Sequence, residues 1–309
     1  MGIFVNHARW LVLTVCAACA ATAQAADINK APGGDKPLVI IEGAINNGDC
    51  NKLLVLIRKS FVKAVYLASP GGNVLEAMRI GRLVRALKLE TIVPVKREGE
   101  LRTQQAANFG IKNPDDNLVC ASACFFVFAA GVLRNQDYRF GSPLLGIHRP
   151  YLSESDLKSL SVDRALETAT RTRAIVENYL KEMNVRPFYT DQMFLIPKEQ
   201  MYWVPVTQFR AELEGLLPEL KEWINANAQR VLDLMKQTDT SDFPARAVEF
   251  DKFLKETLSD PTRREAFVLD DLQFNSWQKL IGASFSPSIF DIPGTPQDIP
   301  NTNKPFCKN

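Results

Sequence analysis

The chain has 309 residues, enough for one large domain or two smaller ones, and 46% of them are hydrophobic, which allows a sizeable core. Its 37 basic and 35 acidic residues leave a net charge of +2. Such a balance gives no electrostatic reason to expect nucleic acid or an anionic membrane as a partner, so neither is predicted.

The first 25 residues have the pattern of a secretory signal. A short polar start precedes an apolar run over residues 10–21, and the Ala-Gln-Ala sequence at 23–25 offers the small residues at which signals are cleaved. A membrane anchor is the alternative, but the run falls short of the ~20 apolar residues that a span needs. A lipoprotein is disfavoured by the bulky Val15 before Cys16. We therefore expect cleavage after residue 25 and a periplasmic or secreted protein with no membrane span.

Four cysteines remain after that cleavage, namely Cys50, Cys120, Cys124 and Cys307. An even count in an exported protein indicates disulfides, but four cysteines allow three pairings and the sequence does not choose among them. A Cys120–Cys124 bridge would close a small loop around Ser122. The C-x3-C spacing, with the remaining histidine far away, does not fit a metal site. No nucleotide-binding motif is present either, so no cofactor is expected.

The predicted elements alternate between strands and helices up to about residue 206, which favours an α/β fold. Strands are predicted at 38–42, 64–68, 91–95, 144–148 and 201–206, and helices at 49–60, 73–88, 122–131 and 153–185. The polar stretch 96–117 is expected to form a surface loop or lid. We predict a main domain over 26–206, a helical extension without strands over 207–284, and a proline-rich extended tail over 285–309, tethered by Cys307.

The first motif that can carry chemistry is Ser-Pro-Gly-Gly at 69–72, between a predicted strand and a predicted helix. Pro70 fixes φ, and the paired glycines permit a strained turn with bare backbone N–H groups. Such a turn can bind an oxyanion. The alternative is a turn with no further role.

The second and third motifs are a serine between two alanines and a histidine at a strand end. Ser122 opens the apolar helix, where free N–H groups, including that of Ala123, favour a nearby oxyanion, although Ser122 can equally be an N-cap. His148 follows 26 residues later and is the only histidine outside the predicted signal. Base catalysis near neutral pH usually falls to histidine, whereas the alternative is a structural role.

In this order and spacing, the motifs resemble the serine peptidase branch of the ClpP/crotonase superfamily. The matching segments are Ser-Pro-Gly-Gly at 69–72, Ala-Ser-Ala at 121–123 before an apolar helix ending in Ala-Ala-Gly at 129–131, and Ile-His-Arg-Pro at 147–150, within a resemblance that covers residues 38–206.

This resemblance implies a spiral of strand-strand-helix units followed by the mostly helical extension. It implies Ser122 as nucleophile, His148 as general base, and the amides of Gly72 and Ala123 as the oxyanion hole. An exported serine peptidase-like hydrolase would act on peptides or proteins without a cofactor. Because ClpP relatives assemble into rings, the resemblance also suggests a homo-oligomer.

The chain departs from the ClpP pattern at the third member of the triad. In ClpP an aspartate follows the long helix after the histidine. Here a gap-free alignment puts Phe194 at that position, and Asp191 is the only acid near it. Asp191 is therefore the candidate, and its alternative is a surface residue of a helix end or turn. The stretch 96–117 is an insertion relative to that pattern.

Two other functions compete with the Ser-His hydrolase. One is a catalytically inactive peptide- or protein-binding member of the same fold, since a fold does not guarantee chemistry. The other is a Ser-Lys hydrolase, for which Lys112, Lys158, Lys181 and Lys198 are available without a motif around them. A crotonase-type coenzyme A enzyme is disfavoured because that cofactor is scarce outside the cytoplasm.

Overall fold

The structure is a computed structural model that describes residues 25–32, 37–150, 161–197, 199–239, 247–282 and 306–307. Residues 1–24 of the predicted signal, most of the proline-rich tail and the first part of the helix predicted over 153–185 lie outside the described residues, as do Lys158 and Lys198.

The described residues form nine strands and eleven helices. The strands are β1 Asp27–Lys30, β2 Leu38–Glu42, β3 Ala64–Ala68, β4 Glu90–Val93, β5 Cys120–Ala121, β6 Leu133–Gln136, β7 Leu145–Ile147, β8 Tyr202–Trp203 and β9 Gly215–Leu216. The helices are α1 Asp49–Lys59, α2 Val74–Ala86, α3 Gly99–Phe109, α4 Pro114–Asn117, α5 Cys124–Ala129, α6 Val162–Glu182, α7 Pro187–Leu195, α8 Val206–Glu212, α9 Pro218–Asp239, α10 Ala247–Ser259 and α11 Pro261–Ile281.

A six-stranded sheet in the order β1-β2-β3-β4-β6-β9 forms the centre of the molecule. Its four inner strands are parallel, and the edge strands β1 and β9 are antiparallel to their neighbours. The sequence of β3 is a continuous apolar run, buried at every residue, because helices and loops cover both faces of the sheet. The predicted α/β class is confirmed.

A second, three-stranded sheet holds β5, β7 and β8. β5 and β7 are parallel, and β8 is antiparallel to β7. The two sheets are joined just past the end of β3, where the Ser69 N–H donates to the Val119 carbonyl at 2.6 Å and the Ser69 carbonyl accepts the Ala121 N–H at 3.0 Å. The carboxyl ends of β3, β5 and β7 therefore lie side by side.

The core is densest around α5, whose six residues are all buried. α2 approaches α5 closely at Gly81: a Cβ there would lie 1.8 Å from the Tyr179 hydroxyl oxygen and 3.1 Å from the Phe126 carbonyl oxygen. That hydroxyl donates to the Phe126 carbonyl at 2.8 Å. The buried Arg134 donates to the carbonyls of Ala129 and Met183, at 2.5 and 2.6 Å, and so ties the end of α5 to the end of α6.

The stretch 96–117, predicted as a loop or lid, is largely helical, so this prediction is wrong about local structure. It forms α3 and α4, which cover one face of the sheet. Phe109 stacks on Tyr66 with 3.8 Å between ring centroids, and Gln105 donates to Asp137 at 2.6 Å. Most side chains of α3 are polar and exposed, so the sequence lacks the apolar periodicity that would reveal a helix.

The extension after residue 207 packs directly on the main sheet. β9 pairs with β6 as a two-residue edge strand, which the helical pattern of this region does not indicate. On α11, Gln273 donates to the Lys88 carbonyl at 2.8 Å, and the Trp277 indole N–H donates to the Ile57 carbonyl at 2.8 Å.

The structure selects one of the three disulfide pairings. Cys120 is bonded to Cys124, and Cys50 in α1 is bonded to Cys307. The expected tether of the tail through Cys307 is confirmed.

We predict that Gly81→Ala destabilises the protein by about 1–3 kcal/mol, although alanine is the better helix former, because the added methyl group displaces Tyr179 from its hydrogen bond. Chemical denaturation measures the free energy of unfolding. Leu75→Ala, at a half-exposed position of the same helix, is the control and is expected to change it by less than ~0.5 kcal/mol. An equal loss in both variants would contradict the tight approach of α2 to α5.

Candidate active site

The candidate site lies where the carboxyl ends of β3, β5 and β7 meet. The chain after β3 carries Gly71 and Gly72, the chain after β5 carries Ser122, and the chain after β7 carries His148. In parallel sheets, ligand sites lie outside the carboxyl ends of the strands. Four of the five predicted site residues follow these three ends, and the fifth, Asp191, lies on α7. The four are Gly72, Ser122, Ala123 and His148.

The glycine turn packs directly against the candidate nucleophile. Gly71 and Gly72 have φ values of 110° and 134°, which side chains other than hydrogen rarely allow. A Cβ on Gly71 would lie 2.6 Å from the Ser122 Cβ and 2.9 Å from the Ala123 nitrogen. The turn is fixed from its other side, because the Ile45 N–H donates to the Gly71 carbonyl at 2.7 Å and the Ile45 carbonyl accepts the Asn73 N–H at 2.8 Å.

Ser122 adopts a left-handed backbone conformation with φ of 55°. Two other non-glycine residues with positive φ, Lys88 and Asn184, lie at the carboxyl ends of helices, where this conformation is ordinary. Ser122 instead lies between a strand and a helix, and strain at such a turn is common at functional sites. Ala123, not Ser122, occupies the N-cap position of α5, and α5 has no side-chain cap. The N-cap alternative is therefore excluded.

Three polar groups at this turn have no hydrogen-bond partner among the residues that the structure describes. They are the N–H of Gly72, the N–H of Ala123 and the half-buried hydroxyl of Ser122. By contrast, the Ser122 N–H donates to the Gly146 carbonyl at 2.9 Å, and the Ser122 carbonyl accepts the Phe125 N–H at 3.0 Å. Two available amide donors beside an available hydroxyl suit the stabilisation of an oxyanion formed on attack.

His148 is held in the tautomer that a general base needs. Its Nδ1 lies 2.9 Å from the Arg149 carbonyl oxygen. Because a carbonyl only accepts, this contact favours a proton on Nδ1. Burial lowers the pKa of His148, and the bond to the Arg149 carbonyl opposes this shift in part. The imidazole is therefore neutral at neutral pH.

The β5–β7 pairing places His148 two residues along the chain from a backbone partner of Ser122. His148 is two residues beyond Gly146, whose carbonyl accepts the Ser122 N–H, and two residues of extended chain span about 7 Å. The Ser122 hydroxyl makes no hydrogen bond to His148 in this structure. Catalytic hydrogen bonds are often long without substrate and tighten when it binds.

Asp191 is not brought to the imidazole. It lies on α7, exposed, and forms an ion pair with Arg173 of α6 at 2.6 Å. The Arg149 carbonyl takes the place at Nδ1 that an orienting carboxylate would have, and the Arg149 side chain donates to the Phe194 carbonyl at 2.5 Å. Sequence reasoning missed this orienting group because a backbone carbonyl leaves no residue signature.

Gly146 is a further site residue that sequence reasoning missed. A Cβ there would lie 2.7 Å from the Met201 sulfur and 3.0 Å from the Trp203 ring, so a larger residue would require these side chains to shift. Glycine inside a predicted strand often marks such a close approach, and this signal was available in the sequence.

The Cys120–Cys124 disulfide encloses Ser122 in a short loop, and both cysteines are fully buried. The bond links the strand before the serine to the first residue of the helix after it. Such a closed loop limits the conformations of the strained turn.

The two described lysines among the alternative bases, Lys112 and Lys181, make no hydrogen bond to Ser122. Lys112 pairs with Asp27 beside β1, and Lys181 is exposed on α6. Neither one bonds to the Ser122 hydroxyl, which has no partner among the described residues.

Comparison with known proteins assigns no family or function to this chain. No protein-family model matches the sequence, and no curated protein matches it. Within the described ranges, none of the helices has the length and apolar character to cross a membrane.

We predict that Gly71→Ala slows the reaction of Ser122 with a fluorophosphonate probe by at least ~100-fold, because the new methyl group displaces Ser122 and Ala123. Gly215→Ala is the matched control: its φ of 103° imposes similar backbone strain, but a Cβ there meets no atom within 4 Å. Mass spectrometry measures the rate at which each variant is labelled, and the two rates are compared. Comparable slowing in both variants would show that backbone strain alone, and not contact with Ser122, is responsible.

The two disulfides provide a second matched pair. Replacing Cys120 and Cys124 by alanine is expected to slow labelling of Ser122 at least ~10-fold, because the turn gains conformational freedom. Replacing Cys50 and Cys307 is expected to lower the free energy of unfolding by about 2–5 kcal/mol and leave the labelling rate within twofold. If both double variants label at the unchanged rate, the Cys120–Cys124 bond has no role in positioning Ser122.

Proposed function

We propose that this protein is an exported serine hydrolase of the peptidase type, built on a ClpP/crotonase-like spiral. The observation that carries the proposal is the turn at Ser122. Its strained backbone carries a hydroxyl without a hydrogen-bond partner among the described residues, packed against Gly71 of the glycine turn. The N–H groups of the adjoining Gly72 and Ala123 have no partner there either, and His148 follows the strand whose Gly146 bonds to Ser122.

The chemistry that this arrangement supports is acyl transfer. The Ser122 Oγ attacks the carbonyl carbon of a peptide or ester, and His148 Nε2 accepts the hydroxyl proton. The carbonyl oxygen becomes the oxyanion, which the Gly72 and Ala123 N–H groups stabilise. When the C–N or C–O bond breaks, the imidazolium donates its proton to the leaving group. Water, deprotonated by the same Nε2, then hydrolyses the acyl-enzyme.

The Arg149 carbonyl that contacts His148 is a weaker orienting group than the carboxylate of a full triad. A neutral carbonyl fixes the tautomer of His148 as a carboxylate does, but it stabilises the imidazolium less, because it carries no full charge. We therefore expect an enzyme with slow turnover whose serine still reacts with an activated acyl or phosphonyl probe.

The fold supports this proposal through its repeated units. β2, α1, β3, α2 and β4 alternate along the chain, and the short second sheet follows with the nucleophile and the base at its strand ends. The motif order supports the ClpP/crotonase-like spiral, and the alternation of single strands and helices supports its α/β class. A peptide or protein substrate, export after loss of residues 1–25, and homo-oligomerisation all belong to the same proposal.

A second candidate function is peptide or protein binding without catalysis. It is favoured by one observation, namely that Asp191 is paired with Arg173 while the Ser122 hydroxyl makes no bond to the imidazole. This candidate predicts peptide binding and no covalent labelling of the intact protein.

The test is fluorophosphonate labelling of the purified mature chain with three variants. We expect Ser122→Ala to abolish labelling and His148→Ala to slow it by roughly 1,000-fold or more. Asp191→Asn is the control and is expected to stay within threefold, because its carboxylate bonds to Arg173. Labelling that survives in Ser122→Ala rules out this nucleophile, and full-rate labelling in His148→Ala points to a lysine base. An unlabelled wild-type chain that binds peptide supports the binding candidate.

The pH dependence of labelling has a defined direction. Burial lowers the pKa of His148 below its ordinary value of 6.5, and only the neutral imidazole accepts a proton. The labelling rate should therefore be constant around pH 7 to 8 and fall on acidification, with a midpoint below 6.5. A midpoint above this value would mean that a nearby anion stabilises the imidazolium and would contradict the assignment of the Arg149 carbonyl.

A further inference from the structure

The chain enters the protein core at Ala26, the second residue that the structure describes. Ala25 is exposed, whereas Ala26 is 3% exposed and packs among core side chains. The Ala26 nitrogen lies 3.2 Å from Oδ2 of Asp49, the first residue of α1, which is 0% exposed. The boundary between outside and inside thus falls at the Ala25–Ala26 bond, directly beside a buried carboxylate.

The carboxylate of Asp49 has a fixed set of partners. Oδ2 also accepts the Asn46 N–H at 2.7 Å, and Oδ1 faces the Lys52 ammonium at 2.7 Å. That ammonium also donates to the Ala26 carbonyl at 3.2 Å. Lys52 is about half exposed, with 48% of its side-chain surface accessible. The buried oxygen that faces Ala26 therefore receives only backbone N–H donors while the chain is intact.

We infer that the chain is processed at the Ala25–Ala26 bond and that the new α-ammonium group of Ala26 forms a buried ion pair with Asp49. Hydrolysis by a signal peptidase adds water across this amide, leaving a carboxylate on Ala25 and an ammonium group on Ala26. The nitrogen that donates one neutral N–H to Oδ2 becomes a cation at the same position. A charge-assisted hydrogen bond of this kind is roughly twice as strong as a neutral one.

Two independent observations agree on the bond. The small residues at 23–25 fit the residues before a signal cleavage point, and this pattern involves no structure. The structure separately places the nitrogen of the next residue, Ala26, at the Asp49 carboxylate, whereas Ala25 is exposed. Lys52 pairs with Oδ1 of Asp49, and an ammonium group on Ala26 would add a charged donor at Oδ2.

The ion pair also adjoins the loop that fixes the glycine turn. Asn46 bonds to Asp49, and its neighbour Ile45 bonds to Gly71 and Asn73. Gly48 and Cys50 donate their N–H groups to Glu76 of α2, each at 2.9 Å. Processing therefore strengthens the segment between the terminus and the turn, although the ion pair itself does not depend on the chemistry of Ser122.

The first test is the amino terminus of the protein recovered after export. N-terminal sequencing and intact mass should give Ala26 as the first residue. A start at any other residue overturns the inference, since the α-ammonium would then not lie at Asp49.

The second test is a double-mutant cycle on folding. Chains that begin at Ala26 and chains that retain Ala25 are compared, each with Asp49 and with Asp49→Asn, after release from a fusion partner. With Asp49 intact, retention of Ala25 should lower the folding equilibrium constant roughly tenfold, because a charged donor is replaced by a neutral one. With Asp49→Asn the two chains should be equally stable. An equal effect of Ala25 in both backgrounds overturns the ion pair.

One further variant serves as a matched control, and one further measurement uses the unaltered mature chain. Asp270→Asn removes an exposed carboxylate paired with Lys63 and should leave the tenfold effect of Ala25 unchanged. In the unaltered mature chain, the α-amino group should react with an amine-specific reagent at least ~10-fold more slowly than in the same chain unfolded in urea. Equal reactivity in the two states overturns the inference even if Asp49→Asn does not fold.

Discussion

The parallel pairing of three short segments is the constraint on which the site depends. Ser69 pairs with Cys120, and Cys120 pairs with Leu145, so that three chain segments end at one edge. The glycine turn, the serine and the histidine follow these ends within a few residues. A slip of one residue in either pairing would turn the side chains to the opposite face and move Ser122 away from the glycine turn and from the end of β7.

The strained turn at Ser122 persists because several separate contacts hold it in place. Gly71 lies against the Ser122 Cβ, the Gly146 carbonyl holds the Ser122 N–H, and the disulfide joins both ends of the turn. The far end of α5 is fixed as well, because buried Arg134 and half-buried Arg85 donate to its last carbonyls. A strained conformation that is held from several sides is ready for an incoming group without further rearrangement.

Elements with a strong sequence pattern could be predicted from the sequence. Elements whose hydrophobic pattern is inverted or absent could not. The turn at 69–72 and the apolar helix α5 were predictable because glycine pairs and uninterrupted apolar runs have few other structural meanings. β6 was not predictable: its buried residues are Arg134 and Gln136, while the half-buried ones include Leu133, so its hydrophobic pattern is inverted. Arg134 is buried because it binds helix-end carbonyls, a requirement set by tertiary structure. β9 has only two residues and no pattern at all.

For the candidate site, residue types were predictable but their partners were not. Serine, histidine and the glycines are recognisable by type and order. The Arg149 carbonyl at His148, the left-handed backbone of Ser122 and the bond between Ala26 and Asp49 involve main-chain atoms, which every residue has. The predicted role of Asp191 depended on alignment alone, and its position on α7 beside Arg173 depends on how two helices pack.

The most direct test of the site is a crystal structure of the mature protein after reaction with a fluorophosphonate. The phosphonyl group should be bonded to the Ser122 Oγ, with its oxygen about 2.7–3.1 Å from the nitrogens of both Gly72 and Ala123. The imidazole Nε2 should face the Ser122 Oγ. A phosphonyl oxygen directed to solvent, or an adduct on any other residue, would contradict the claim that the three strand ends form an oxyanion-stabilising site.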